Sequence, residues 1–384
     1  MPFFVRADSL GETEVFSVDR QYDAFGRNQV SATLRVLSNN AYFYVADDYW
    51  DSLPVFAQNS FLSQTQSLAG DFEKSIYPAE TSTWGSEPKP GIDSDPRVLV
   101  LLANLIDEAG GYFDGENGLK KTSSRPDSNE RDMVYVNAKS LSTGRAKSFL
   151  AHEFQHLIAL NQKFLINHVE DDVWLNELRS EYSITLSGFD SEPNSNLSRR
   201  ANNFLRAPSD PLGEWKNMNN DYNVVNMLGQ YIVDRYGLKV LVDSLKSGLV
   251  NIPSINAVLL ANGHPENFQK LFLNWAAALF INDESAGPRY SYANPVLKNI
   301  RVSPTSTFAG ISSPIMISGE LKDWQPVWYE LNSINGNVKA EFMAPESSIF
   351  RLAYILFKEN NAIEVKEMNI QNGKGTLYIP KSPS

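Results

Sequence analysis

The pattern of apolar and polar positions changes character twice along the chain. From Val30 to Ala138 it is mixed. Residues 30–37 and 41–45 are β-branched or aromatic runs separated by Ser-Asn-Asn, which predicts a hairpin. Phe61, Leu68, Phe72 and Ile76 recur at helical spacing and predict a helix with one buried stripe. Asp95-Pro96 opens residues 97–102, whose nearly unbroken apolar run is expected to be a central strand covered on both faces. GGYFDGENG at 110–118 reads as a turn, and residues 132–138 as a further strand.

From 142 to 282 the period becomes helical, and Gly188 and Gly237 stand directly after two of the helices, where a left-handed cap favours glycine. Residues 284–314 are rich in Pro, Ser and Gly and read as linker. Beyond them Val338, Ala340 and Phe342 alternate with Lys339 and Glu341, and Ile363 and Val365 with Glu364 and Lys366. The expected fold class is therefore α+β. A sheet-containing part covers 1–162, a mainly helical part 163–300, and a small sandwich-like β domain 314–384.

Composition narrows the function classes. A chain of 384 residues, 42% apolar and 21% charged, has material for a large core and the length for more than one packed unit. Its 45 acidic and 34 basic residues give a formal charge of -11 and leave no basic run to neutralise phosphates, so nucleic acid is not an expected partner. The apolar run at 98–106 falls short of the roughly 18 residues that a membrane span needs. The absence of cysteine excludes disulfides, thiolate ligands and a cysteine nucleophile together, while leaving the compartment open. MPFFVRAD has no basic segment followed by an apolar one, so the chain is either cytoplasmic or begins after a removed signal.

Candidate chemistry concentrates in FLAHEFQHL at 149–157. His152, Glu153 and His156 fit H-E-x-x-H. On a helix the i, i+4 spacing puts both imidazoles on one face about one turn apart, so two nitrogens can grip one ion. Glu153 is rotated by about 100° from His152, poorly placed as a ligand but near enough to act as base on an attacking water. The bland alternative is an amphipathic helix that carries its histidines as decoration. Against it, the chain has only 4 histidines and the motif takes two of them. Phe149, Leu150, Leu157, Ile158 and Leu160 also give the helix an apolar flank, which sets the ligand face along a buried seam.

A catalytic zinc takes three protein ligands and keeps one position open, so a third donor is required. A metzincin histidine is absent, because Ala159 and Gln162 occupy the diagnostic positions. Asp171 and Asp172 lack the surroundings of an aspzincin ligand, and His168 is expected in a loop. WLNELRSEY at 174–182 offers Glu177 on a second helix, with Glu181 one turn further. A solvated acidic face is the competing reading. The Trp, Leu, Tyr and Ile around these glutamates suit a buried helix instead, and a buried carboxylate needs a cation or donors.

N-E-x-x-S-E, running from Asn176 to Glu181, closely resembles the second zinc motif of the gluzincins, the clan of thermolysin. The resemblance implies that Glu177 is the third zinc ligand and that Glu181 hydrogen-bonds a ligating histidine, His152. A closer likeness is to the hyicolysin family of bacterial metallopeptidases. AHEFQHLIAL, WLNELRSEY, SIYPAETSTWGSEPKPGIDSDPRV, SNERDMVYVN and NWAAALFIN are similar to its recurring segments, over roughly residues 32–282. Where that family tends to read N-E-G-L-S-E, this chain has Leu178 and Arg179, a departure expected to alter packing behind Glu177 and to spare ligation. No G-x-M-E-N stretch precedes the motif, which disfavours the aminopeptidase branch.

What the resemblance implies is a zincin-type catalytic domain holding one zinc, in a secreted or cell-envelope endopeptidase that acts on polypeptide with Glu153 as general base. His168, Tyr222, Tyr231 and His264 are candidates to assist at the oxyanion. Tyr222 is favoured, because DYNVVNMLGQYIVDRYG resembles a family segment that begins at tyrosine. The strand at 132–138 is expected to be an edge strand that pairs with an extended peptide. Asp107, Asp114 and Glu116 around GGYFDGENG invite a calcium site but match no EF-hand spacing, so calcium is a secondary expectation. Trp324 and Trp328 are expected in an aromatic core. From a different class, the competing reading is a non-catalytic surface binding or adhesion protein with a structural metal on the same fold.

Overall fold

The computed structural model describes residues 7–310, 313–332, 336–358 and 362–379. The chain divides into two compact units. One comprises Met1–Asp172, Arg179–Asn196 and Leu245–Val250, the other Val173–Leu178, Leu197–Ser244 and Asn251–Ser384.

A six-stranded mixed sheet organises the first unit. Its strands are β1 (Thr13–Ser17), β2 (Gln29–Leu37), β3 (Ala41–Ala46), β4 (Val98–Ala103), β5 (Gly111–Tyr112) and β6 (Met133–Asn137), in the order β1-β2-β3-β4-β6-β5. The hairpin expected at residues 30–45 is β2–β3, antiparallel. β4 runs parallel to β3 on one side and β6 on the other, and all its residues are buried, as an unbroken apolar run requires. One face of the sheet carries Phe16, Tyr42, Tyr44, Leu99, Leu101 and Tyr135. There the rings of Tyr22, Tyr112 and Tyr135 stack at 4.7 and 4.1 Å between successive centroids.

α1 (Asp47–Ser52) packs its Tyr49 against that cluster, and the opposite face is covered by α2 (Val55–Asp71), a π-type turn at Phe72–Ile76, α3 (Tyr77–Trp84) and α4 (Ala146–Ala159). The stripe read from the sequence is the buried one. Phe72 meets Phe43 of β3 at 6.4 Å and Phe154 of α4 at 5.1 Å, so a single ring joins sheet, α2–α3 and α4. Between β6 and α4 the chain makes a tight turn at Ala138–Thr143, ended by Gly144 in the left-handed region at φ 69°. This connection fixes where α4 starts.

One expectation about the region before α4 needs correction. β6 is not the edge of the sheet at its centre, because Gly111 and Tyr112 pair antiparallel with Val136 and Tyr135, so β5 is the edge strand. A two-residue strand inside a glycine-rich stretch has no period to read. Two of the nearby carboxylates make local contacts. Asp114 accepts from the Glu116 amide at 3.0 Å and from the Asn117 side chain at 3.1 Å, while Asp107 pairs with Lys139 at 2.8 Å.

The second unit takes the first turns of α5 (Val173–Leu186) and adds α6 (Asn196–Phe204), α7 (Asn219–Tyr236), α8 (Leu238–Lys246), α9 (Asn251–Ala261) and α10 (Phe268–Ile281). Gly188 follows α5 in the left-handed conformation anticipated, at φ 84° and ψ 18°, whereas Gly237 after α7 shares the φ of 84° but has an extended ψ of 153°. Residues 284–302 are more than linker. Tyr292, Leu297, Ile300 and Val302 are buried, and the Tyr292 hydroxyl accepts from the Trp275 indole at 2.9 Å and donates to the Met227 carbonyl at 3.0 Å. Proline and serine shape this segment's bends, while its apolar residues anchor it.

The C-terminal region is all-β in character, in three small sheets. β7 (Ser306–Ala309), which falls inside the expected linker, pairs with β8 (Tyr329–Asn332). β9 (Val338–Met343) pairs with β13 (Lys374–Ile379), which also pairs with β12 (Ile370–Gln371). β10 (Ala353–Phe357) and β11 (Ile363–Glu367) form a hairpin. Of the expected β domain, residues 333–335, 359–361 and 380–384 lie outside those described. Trp324 packs on Phe268 at 4.8 Å and Trp328 donates to the Ala276 carbonyl at 2.9 Å, so both tryptophans serve an aromatic core against α10.

Asp132, immediately before β6, is buried, and burial pushes its carboxyl up to about 7, with Asp93 and Glu87 adding to the shift against the hydrogen bond from the Ile92 amide. In the unfolded chain the same group titrates near about 3.9. The folded form therefore binds its proton more tightly, and the stability this confers below that pH is lost as pH rises through about 7. Asp132→Asn is expected to raise the unfolding free energy at pH 8 by on the order of 1–3 kcal/mol and to change it little at pH 4, as read by urea denaturation.

Candidate metal centre

α4 is buried from Leu150 to Ala159, on every side of the helix. Its polar side chains must therefore find partners inside the protein. His152 and His156 project from one face, as their spacing dictates. Their Nε2 atoms stand 3.2 Å apart, and the rings meet edge to face with centroids at 4.9 Å. Two nitrogens each about 2.0–2.1 Å from a common ion at a tetrahedral angle are about 3.3 Å apart. The pair thus already has the separation that one metal ion imposes. Glu153 joins them in the one cluster of at least three His, Asp or Glu side chains among the described residues whose ligand atoms all lie within 4.8 Å of each other.

The far side of each ring decides whether Nε2 can offer a lone pair. Ser180 of α5 lies 3.1 Å from Nδ1 of His156 and 2.5 Å from Oε1 of Gln155. A hydroxyl has one proton, and the amide oxygen can only accept it. Ser180 must then accept from His156, which places the imidazole proton on Nδ1 and leaves Nε2 bare. For His152, Oε1 of the buried Glu181 lies 3.6 Å from Nδ1, and its negative charge favours the same tautomer. Glu181 is itself held by the Asn196 side chain, which donates to Oε2 at 2.9 Å. A nitrogen pair with a carboxylate alongside is a donor set suited to a borderline-soft divalent metal.

Glycines bring the sheet edge to this face of α4. A Cβ added to Gly111 would lie 2.7 Å from the Tyr135 carbonyl, 2.9 Å from Cγ and 3.0 Å from Oε1 of Glu153. One added to Gly110 would strike the Phe149 ring within 2.4 Å. Only glycine at both positions lets β5 lie this close to the Glu153 carboxylate. The Phe113 ring then follows beside His156, centroids 6.2 Å apart and nearly parallel. None of Gly110, Gly111, Gln155 or Ser180 stands out from the sequence as part of the site. The Gly-Gly pair and the serine inside N-E-x-x-S-E were the available signals.

The other candidates fall as follows. Glu177 sits half-buried on α5, one helical turn before Glu181, in the segment assigned to the second unit. His168 is exposed in the loop before α5, with φ 57°, and is outside the cluster. Tyr222, in the first turn of α7, donates to Asn217 at 2.8 Å, with Trp215 at its edge and Arg200 over its face. Tyr231 is buried and its hydroxyl donates to the Arg289 carbonyl at 2.8 Å, while His264 packs against Tyr236. Asp171 is taken by Arg179 at 2.7 Å and Lys163 at 3.6 Å.

No family model matches the chain. Among curated proteins it is similar to the neutral metalloprotease ShpI of Staphylococcus hyicus, with 28% identity over 162 residues, covering 39% of this chain. The matched region spans about a third (34%) of the length of that relative.

Ser180→Ala removes the acceptor that fixes the His156 proton on Nδ1. It is expected to weaken metal binding about 10- to 100-fold with the fold intact, measured by competition with a chromogenic chelator and by circular dichroism.

Proposed function

We propose that this protein is a zinc-dependent endopeptidase of gluzincin type. The observation that carries the reading is the pair of imidazole nitrogens 3.2 Å apart beside Glu153, on a buried helix next to a sheet edge. The likeness to a neutral metalloprotease supports it independently. His152 and His156 supply two ligands and Glu177 the third. Glu181, one turn from Glu177 on the same helix, orients His152. Following the family resemblance, the protein works outside the cytoplasm, and no helix among the described residues is long and apolar enough to cross a membrane.

Zinc, when bound, supplies a Lewis acid for the peptide carbonyl and lowers the pKa of water toward about 7. The chain's own residues do the rest. The outer edge of β5 offers main-chain groups to an extended peptide, which selects polypeptide as a class and not a sequence. Glu153 takes a proton from the attacking water on its carboxylate and delivers it to the leaving amine nitrogen. Because Gly111 lets the strand sit against Glu153, the base and the peptide backbone meet without a side chain between them. Tyr222 is the proposed second donor to the oxygen that gains charge.

Glu153→Gln is expected to retain zinc by elemental analysis while casein hydrolysis falls by at least about 10²-fold. Glu177→Ala is expected to lose both metal and activity. Zinc binding by wild type and Glu153→Gln with no cleavage by either would favour the binding-protein reading. Tyr222→Phe should lower kcat about 10- to 100-fold with KM little changed; an unaltered kcat removes Tyr222 from the mechanism.

A further inference from the structure

The stripe that seats α2 and α3 against α4 contains a misfit. Phe72, Ile76, Glu80 and Trp84 follow one another at i+4 and all are buried, three of them apolar and one an acid. Glu80 is 0% exposed, and neither of its carboxylate oxygens has a hydrogen-bond partner among the described residues. Burial alone pushes its carboxyl well above the usual range. A stripe serving only to pack would carry leucine or isoleucine here, since a buried carboxyl without a partner works against folding.

Its neighbours fix where Glu80 looks. Phe72 and Tyr77 rest on Phe154 of α4 at 5.1 and 5.6 Å, and Trp84, one turn beyond Glu80, donates to the Ser183 hydroxyl of α5 at 2.8 Å. The residue between these anchors faces the junction of α4 and α5. At that junction Gln155, adjacent to Phe154, accepts from Ser180, one turn before Ser183. Gln155 is also 0% exposed, and its Nε2 has no hydrogen-bond partner among the described residues. An acceptor-rich group and a donor, both buried and without a partner, thus belong to elements that meet at one junction, a setting in which bridging water is the usual solution.

We propose that Glu80 is a positioning residue of the metal centre, linked through bridging water to Nε2 of Gln155 and through Gln155 and Ser180 to Nδ1 of His156. The link determines which way the Gln155 amide faces. A water that donates to Glu80 presents its lone pair to the amide nitrogen and keeps Oε1 toward Ser180. Without it the amide can turn over and offer its NH2 to Ser180, whose proton then goes to Nδ1 of His156. The imidazole proton would move to Nε2, where it blocks the ion. This inference rests on His152 and His156 being metal ligands.

The test compares wild type, Glu80→Leu and Glu80→Gln for zinc affinity by chelator competition and for the Tm of the zinc-free protein. Glu80→Leu is expected to bind zinc about 10-fold more weakly or worse, with the zinc-free Tm unchanged or raised. Glu80→Gln keeps an acceptor and should stay within about threefold of wild type. Combining Glu80→Leu with Ser180→Ala should add little to the loss from Ser180→Ala alone, because both act through one chain. Wild-type zinc affinity in Glu80→Leu overturns the proposal, as does a loss matched by a fall in the zinc-free Tm. If Glu80→Leu does not fold, Gln155→Leu reads the same link, and wild-type affinity there is equally fatal. A wild type that binds no zinc refutes the ligand reading itself.

Discussion

Two imidazole nitrogens held 3.2 Å apart on a helix buried all round are the arrangement on which the first unit turns. Both rings are buried, and their outer nitrogens face the Ser180 hydroxyl and the Glu181 carboxylate, so the packing fixes the ring orientations that a shared cation would require. Sheet, α2–α3 and the later part of α5 act together as the clamp, with Phe72 touching both Phe43 and Phe154.

The position of Glu153 follows from a different constraint, the distance between backbone and side chain at the sheet edge. β5 reaches the carboxylate only because residues 110 and 111 have no Cβ. It stays there because Tyr112 is stacked between Tyr22 and Tyr135, and because the Tyr135 hydroxyl accepts from Asn117 and Asn129 while donating to the Ser17 carbonyl. A short strand with two ladder partners would fray alone. Here aromatic stacking and one three-way hydroxyl hold it in place beside the Glu153 carboxylate.

What the sequence disclosed was local or strongly periodic. The His152–His156 relation is set within one helical turn, so the motif alone predicts it, and β4 is legible because a strand covered on both faces leaves no polar position. β5 was invisible because two residues make no pattern. The burial of residues 284–302 was hidden because a few anchors, Tyr292 and Leu297 among them, sit amid proline and serine. Ser180 and Gln155 act through a contact between helices, and no spacing rule links residues 155 and 180. Glu177 and Tyr222 lie in the second unit, so for them the sequence resemblance still carries the assignment.

Leu178 and Arg179, the two residues that depart from the pattern the sequence resembles, are each matched by a neighbour in the structure. Leu178 packs where a Cβ on Gly229 would lie only 3.1 Å from its side chain, so the larger residue on α5 is accommodated by the smallest one on α7. Arg179 turns the other way and is fully buried, a position that lowers its pKa by desolvation and is sustained by the Asp171 carboxylate at 2.7 Å. A lone buried guanidinium would be strongly destabilising, whereas a paired one is close to neutral. Leu178 is thus matched to the missing Cβ of Gly229, and Arg179 to the charge of Asp171.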